Sequence, residues 1–165
     1  MNRRSFINGL SAVVTAVPMA NLFSMNSGEI ESYNYKLNYA PHLGMFKNHA
    51  GSDPIDQLNF IADLGFTAFE DNDMRKRDVG LQEKMSETMG KRGLRMGVFV
   101  AHEIYWQKPN LASGDLALRE EFLDYIKKAI PIAKRVNAKW MTVVPGHIDS
   151  RQNKAYQTAN VIESL

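Results

Sequence analysis

The stretch Leu64-Gly65-Phe66-Thr67-Ala68-Phe69-Glu70 decides the fold. It reads as the last turn of a helix, a glycine stop, a short apolar strand and a carboxylate at the strand's end. Glycine just past a helix accepts the left-handed backbone that ends it. The residues before it agree. Asp53 is suited to cap free helical amides and Pro54 to stand first in the helix. Ile55, Leu58, Ile61, Ala62 and Leu64 then follow the spacing of one buried helical face. The same junction recurs at Arg92-Gly93-Leu94, and Val136-Asn137-Ala138 marks it a third time.

Working outward, four strands are expected, over residues 36–40 (KLNYA), 66–70 (FTAFE), 95–100 (RMGVFV) and 140–144 (WMTVV). Helices are expected from Pro54, over 79–91, over 115–136 and over 151–165. The third of these turns Leu116, Leu118, Phe122, Ile126, Ile130 and Ala133 inward, and Pro131 should kink or split it. Strand and helix alternating at this rhythm imply an α/β chain of parallel (β/α) repeats with right-handed crossovers. The short helix-to-strand turns put every strand's C-terminal end on one side, where functional loops of such folds gather. An open doubly wound sheet and part of a (β/α)₈ barrel both fit. A barrel needs about 250 residues, so the four units here amount to half of one.

Composition narrows the function. The 165 residues contain no cysteine, which excludes disulfides and thiolate metal sites. Of 20 Lys+Arg, two (Arg3 and Arg4) lie in residues 1–26, which hold no acid; the remaining 18 balance 18 Asp+Glu. A neutral body argues against nucleic acid as partner. Residues 1–26 read as a signal segment, with two arginines followed by an uncharged run over 9–20 too short to span a bilayer. Arg3-Arg4-Ser5-Phe6-Ile7 resembles a twin-arginine export motif, so the expected location is the periplasm, without a stable membrane anchor. Residues 33–165 form the expected domain.

Polar residues after the strands are the candidate site. His42 follows the first, Glu70-Asp71-Asn72-Asp73 ends the second, His102-Glu103 ends the third, and His147 and Asp149 follow the fourth. All four histidines fall after a strand or in the loop that follows, none in an expected helix. Imidazoles and carboxylates gathered there can move protons, bind metal or hold sugar hydroxyls. His49 sits in a polar loop and reads as structural. Arg75-Lys76-Arg77 reads as a solvated loop, and Tyr105 and Trp106 as either cleft wall or loop anchor. No G-x-G-x-x-G follows the first strand, and no G-x-x-x-x-G-K-[ST], G-x-S-x-G or H-E-x-x-H occurs, which disfavours dinucleotide, P-loop, hydrolase and zincin chemistry.

Asn38-Tyr39-Ala40-Pro41-His42, the 64–70 stretch, Val136-Asn137-Ala138-Lys139 and Val143-Val144-Pro145-Gly146-His147 together resemble the xylose isomerase-like TIM-barrel superfamily, closest to its hydroxypyruvate isomerase family. The likeness covers residues 36–165. It implies a sugar isomerase or epimerase in which a divalent metal (Mg, Mn or Zn) polarises a carbonyl and paired glutamates move a proton through an enediolate. The family's metal-binding and catalytic carboxylates lie on later strands, so the catalytic residues are expected beyond Leu165. No metal ligand or catalytic residue is therefore carried over, and His42, Glu70, His102 and His147 are expected only as substrate-pocket residues for a small sugar or hydroxy acid. The chain is expected to be the first half of a longer barrel, inactive alone and prone to associate with itself. Two other functions stand beside this one: a non-catalytic carbohydrate-binding or assembly module, and an endonuclease of the same superfamily.

Overall fold

A computed structural model describes residues 32–165, so the signal-like segment over 1–26 lies outside the described residues. The four longer helices each begin at a side-chain cap. They are α2 (Pro54–Asp63) from Asp53, α3 (Val79–Arg92) from Asp78, α4 (Leu116–Arg135) from Asp115 and α5 (Lys154–Ser164) from Asn153. In each, the cap's side-chain oxygen accepts from an amide of the first turn, which has no partner inside the helix. A one-turn helix, α1 (Lys47–Ala50), precedes them. No helix among the described residues is long and apolar enough to cross a membrane.

Two strands, β1 (Ala68–Phe69) and β2 (Arg95–Met96), pair in parallel, with Ala68 opposite Arg95 and Phe69 opposite Met96. The pairing spreads to both sides. Glu70 donates its N–H to the Pro41 carbonyl (3.0 Å) and accepts from Leu43 N–H (2.8 Å), while Thr142 donates to Phe99 (2.8 Å) and accepts from Ala101 (3.1 Å). Parallel bridges join His42 to Glu70 and Val100 to Thr142. Four segments therefore lie side by side in chain order, all running the same way. A doubly wound sheet reverses its strand order at a switch point; this one does not, which is the order of a barrel wall.

The junctions explain the uniform direction. Phe66 N–H reaches back to the Ile61 carbonyl (3.2 Å), Leu94 to Met89 (2.9 Å) and Ala138 to Ala133 (2.8 Å), so all three helix ends close with the same six-residue bond. The residue before each is left-handed: Gly65 at φ +88°, Gly93 at +67° and Asn137 at +51°. Asn137 is the one non-glycine among the described residues with positive φ. Asparagine tolerates that conformation better than other side chains, which is why it stands in the glycine's place. Gly65 has a second reason, since a Cβ there would lie 1.9 Å from the Tyr33 carbonyl oxygen.

Several expectations need correction. Residues 36–40 form no strand: Leu37 and Tyr39 are exposed and nothing buries a pleat there, so pairing begins only around Pro41 and His42. The expected 95–100 strand is interrupted after Met96, because Gly97 donates to Phe69 (2.7 Å) while the next ladder bond, from Asp71, goes to Val98 (3.3 Å). The expected 140–144 strand shrinks to the bridge at Thr142, with Trp140 outside on solvent. Pro131 does not split α4, which runs unbroken through it. On α4 the inward residues are Phe122 and Ala129, with Ile126 and Ala133 packed beside them; Leu116 and Ile130 are exposed, and Ala129 was not among those expected. His49 lies in α1, so one histidine is helical after all. The helix expected over 151–165 is shorter at both ends. Arg151 folds back onto Asp149 and Asn153 caps the first turn, while Leu165 follows the last helical residue and donates its N–H to the Ile162 carbonyl (3.4 Å).

The core lies between the sheet and the helices. Phe69, Met96 and Phe99 from the sheet meet Leu58 and Ile61 of α2, Met85 and Met89 of α3 and Ala129 of α4, all buried. Gly97 faces the other way, toward Ala40 and Glu70. The Glu70 side chain thus shares the sheet face opposite the helices, at the C-terminal end.

Candidate functional site

Loops that leave the C-terminal ends of the strand segments would be floppy without anchors, and three are tied by a buried glutamine. The Gln57 Oε1 accepts from Gly44 N–H at 2.7 Å. Gln82 donates through Nε2 to the carbonyls of Met74 (3.0 Å) and Arg77 (2.9 Å), and its Oε1 accepts from the Arg135 guanidinium. Gln157 donates to the Asp149 carbonyl (2.8 Å) and accepts from Asp149 N–H (2.8 Å). Each glutamine stands four residues after a helix cap, at Asp53, Asp78 and Asn153. Side chains on a helix lean back toward its N-terminus, so this position points into the loop just before the helix. Sequence reasoning missed all three residues; the recurring [DN]-x-x-x-Q spacing was the available signal.

His102 performs the same task from a strand end. It is buried, its Nδ1–H donates to the Glu103 carbonyl (2.7 Å), and its Nε2 accepts from Val144 N–H (2.9 Å). The Phe122 ring meets it edge-on at 5.0 Å. Burial pulls its pKa below the ordinary 6.5, chiefly by desolvation, with a smaller contribution from the Arg75 charge against the opposing pull of the Glu103 carbonyl and carboxylate. A neutral ring joining the ends of the third and fourth segments follows from this geometry. Both ring nitrogens are engaged.

The acidic run after β1 divides by partner. Asp71 is buried and its carboxylate holds Arg77 (2.5 Å from Nε) while accepting from Asp73 N–H (3.2 Å). Arg75 pairs with Glu103 (2.8 Å) and lies 4.9 Å over the Tyr125 ring. The expectation of a solvated 75–77 loop is therefore corrected: Met74 plugs the core, which draws both arginines inward, and only Lys76 points to solvent, against Asp73 (3.1 Å). Glu70 differs from all of these. It is half-buried, and among the described residues its carboxylate has no hydrogen bond or ion pair.

The structure brings His42 and Glu70 together through their backbone bridge, and His42 Nε2 lies 3.5 Å from the Asn72 amide. A cleft of about 200 Å³ opens at the same end of the sheet, lined by Asn72, Arg75, Val100, His102, Glu103 and Trp106; His42 and Glu70 are not among its lining residues. Trp106 is largely exposed at its rim, whereas Tyr105 turns away to donate its hydroxyl to Glu121 (3.0 Å), the interaction that raises its pKa. His147 lies exposed outside the cleft, beyond Gly146, whose backbone bridges Pro109. The neighbouring Asp149 is held ionised, at about 2, by Arg151. The expectation of catalytic residues beyond Leu165 falls outside the described residues. Polar loops, one unpaired carboxylate and an exposed indole at the C-terminal end make a surface able to hold a small polyhydroxylated molecule.

Residues 58–165 match the family model described as xylose isomerase-like TIM barrel, well over half of the chain. No curated protein matches the sequence.

Proposed function

The chain belongs to the xylose isomerase-like TIM-barrel family, and from that premise we propose that it serves a sugar isomerase or epimerase acting on a small hydroxy-carbonyl compound or sugar, of the hydroxypyruvate isomerase kind. The observation that carries the reading is Glu70. A partly exposed carboxylate with no protein partner leaves its acceptor oxygens open to a ligand's donors. Neighbouring hydroxyls of a sugar or hydroxy acid donate the hydrogen bonds it lacks. His42 stands beside it to hold a further oxygen, and Trp106 offers an indole face to the C–H side of a sugar.

The reaction exchanges a carbonyl with an adjacent hydroxyl by moving one proton through an enediolate, and a divalent metal supplies carbonyl polarisation in such chemistry. The described residues do not fit a metal: no group of three or more His, Asp or Glu side chains among them is placed to hold one. Asp71 is engaged by Arg77 and His102 by backbone. Glu70 and His42 therefore bind and orient substrate and do not transfer the proton. Arg3 and Arg4 support a further proposal, export to the periplasm by the twin-arginine route; lysine at both positions should trap the precursor.

Hydroxypyruvate binding tests the assignment. The purified chain should bind it saturably, without exchanging its C–H protons for solvent deuterium. Glu70→Gln should weaken binding about tenfold or more, since hydrogen bonds to a charged group contribute about 1.5–3 kcal/mol. Unchanged affinity would contradict the reading. Tight binding of abasic-site DNA with none of hydroxypyruvate would replace it with an endonuclease, the other activity this family houses.

A further inference from the structure

A second cavity, of about 590 Å³, opens at the opposite end of the sheet, where the helix-to-strand junctions lie. Its size falls in the range of small-molecule sites. Met89, Met96 and Val136 are among its lining residues, all buried, and Trp140 stands exposed at its edge. Methionine floors adapt to ligands of varied shape. Two cations, Arg95 and Lys139, also line it. Among the described residues neither has an ion pair or a side-chain hydrogen bond, and no carboxylate lines the cavity. Other arginines of the chain find acids: Arg92 pairs with Asp63 and Arg119 with Glu163.

We propose that this cavity is a binding site for a small organic monocarboxylate with an apolar body, distinct from the cleft at the C-terminal end. The apolar body covers the methionines and the Trp140 ring, while the carboxylate meets Arg95 and Lys139. Both cations are exposed, so an uncharged molecule of the same shape leaves them to water and gains nothing from them, and a bare inorganic anion leaves the apolar floor wet. Glu70 does not line the cavity, although it borders Gly97, which does. The proposal does not rest on the isomerase reading, because none of its residues belongs to that pocket.

Calorimetric titration with octanoate and with octanol tests it. Octanoate should bind at a single saturable site about tenfold more tightly than octanol at low salt, the fold-change expected of two solvent-screened ion pairs. The Arg95→Gln/Lys139→Gln double variant should erase that ratio while leaving octanol binding as it was, which shows that the cavity still stands. Equal affinity for the two ligands, or a ratio that survives in the double variant, would overturn the proposal. So would a stable dimer, seen by sedimentation velocity, that octanoate fails to perturb, for then a second copy covers the face.

Discussion

Replacing Gln82 by leucine should destabilise the protein by about 3.5 kcal/mol. The side chain is buried and makes two neutral hydrogen bonds, to the carbonyls of Met74 and Arg77, and one from the Arg135 guanidinium. Leucine fills a similar volume and replaces none of them. Each neutral bond contributes about 1 kcal/mol net, and the charged one about 1.5 kcal/mol at the low end, because Arg135 is half-exposed and water can take over. For a chain of this size the loss amounts to about 7–14 °C in Tm. Urea unfolding reads the free energy directly, with Gln107→Leu on an exposed loop as the control. A double-mutant cycle with Arg135→Met should show coupling between the two positions. Loss of the anchor also frees residues 71–78, which carry Asn72 and Arg75 to the cleft, so ligand binding should fall with stability. A change below about 1 kcal/mol, or one equal to that of Gln107→Leu, would refute the reasoning.

Asn137 holds a left-handed backbone at φ +51°, so Asn137→Gly should be near neutral while Asn137→Ala should cost about 1 kcal/mol, measured by the same unfolding. His102 predicts a pH dependence: its pKa is lowered on folding, so below 6.5 the unfolded chain binds more protons. Stability should then fall as pH drops, by at most about 1.4 kcal/mol per unit, and be flat on this account above that pH. His102→Gln, which cannot titrate, should remove that component; urea midpoints across the range check it, and a slope unchanged in the variant would count against a buried neutral His102.

The repeat was legible because it is written in local chemistry. The cap at Asp53 and the stops at Gly65, Gly93 and Asn137 act within a few residues of themselves. The strands were overread because a strand is a joint property. The 36–40 segment carries apolar alternation and 140–144 is a largely apolar run, yet Leu37, Tyr39 and Trp140 stay on solvent, where no neighbour gives the pattern anything to bury. At the site, the position of Glu70 could be read from its strand end. The fate of its neighbour could not: whether Asp71 is free or bound depends on Arg77, six residues on, which the core packing of Met74 draws inward. His102 looked like a ligand residue for the same reason. Its two ring partners are backbone groups, and no side-chain pattern announces those.

The most direct test of the central claim, that the C-terminal end holds a small hydroxy-carbonyl ligand on Glu70, is a chemical-shift map of the nitrogen-labelled chain titrated with hydroxypyruvate. The account predicts saturable shifts at the amides of His42, Leu43, Glu70 and Asn72 and at the Trp106 indole, with the Trp140 indole unmoved, and their loss in Glu70→Gln. Shifts confined to other surfaces, or an identical map in Glu70→Gln, would contradict it.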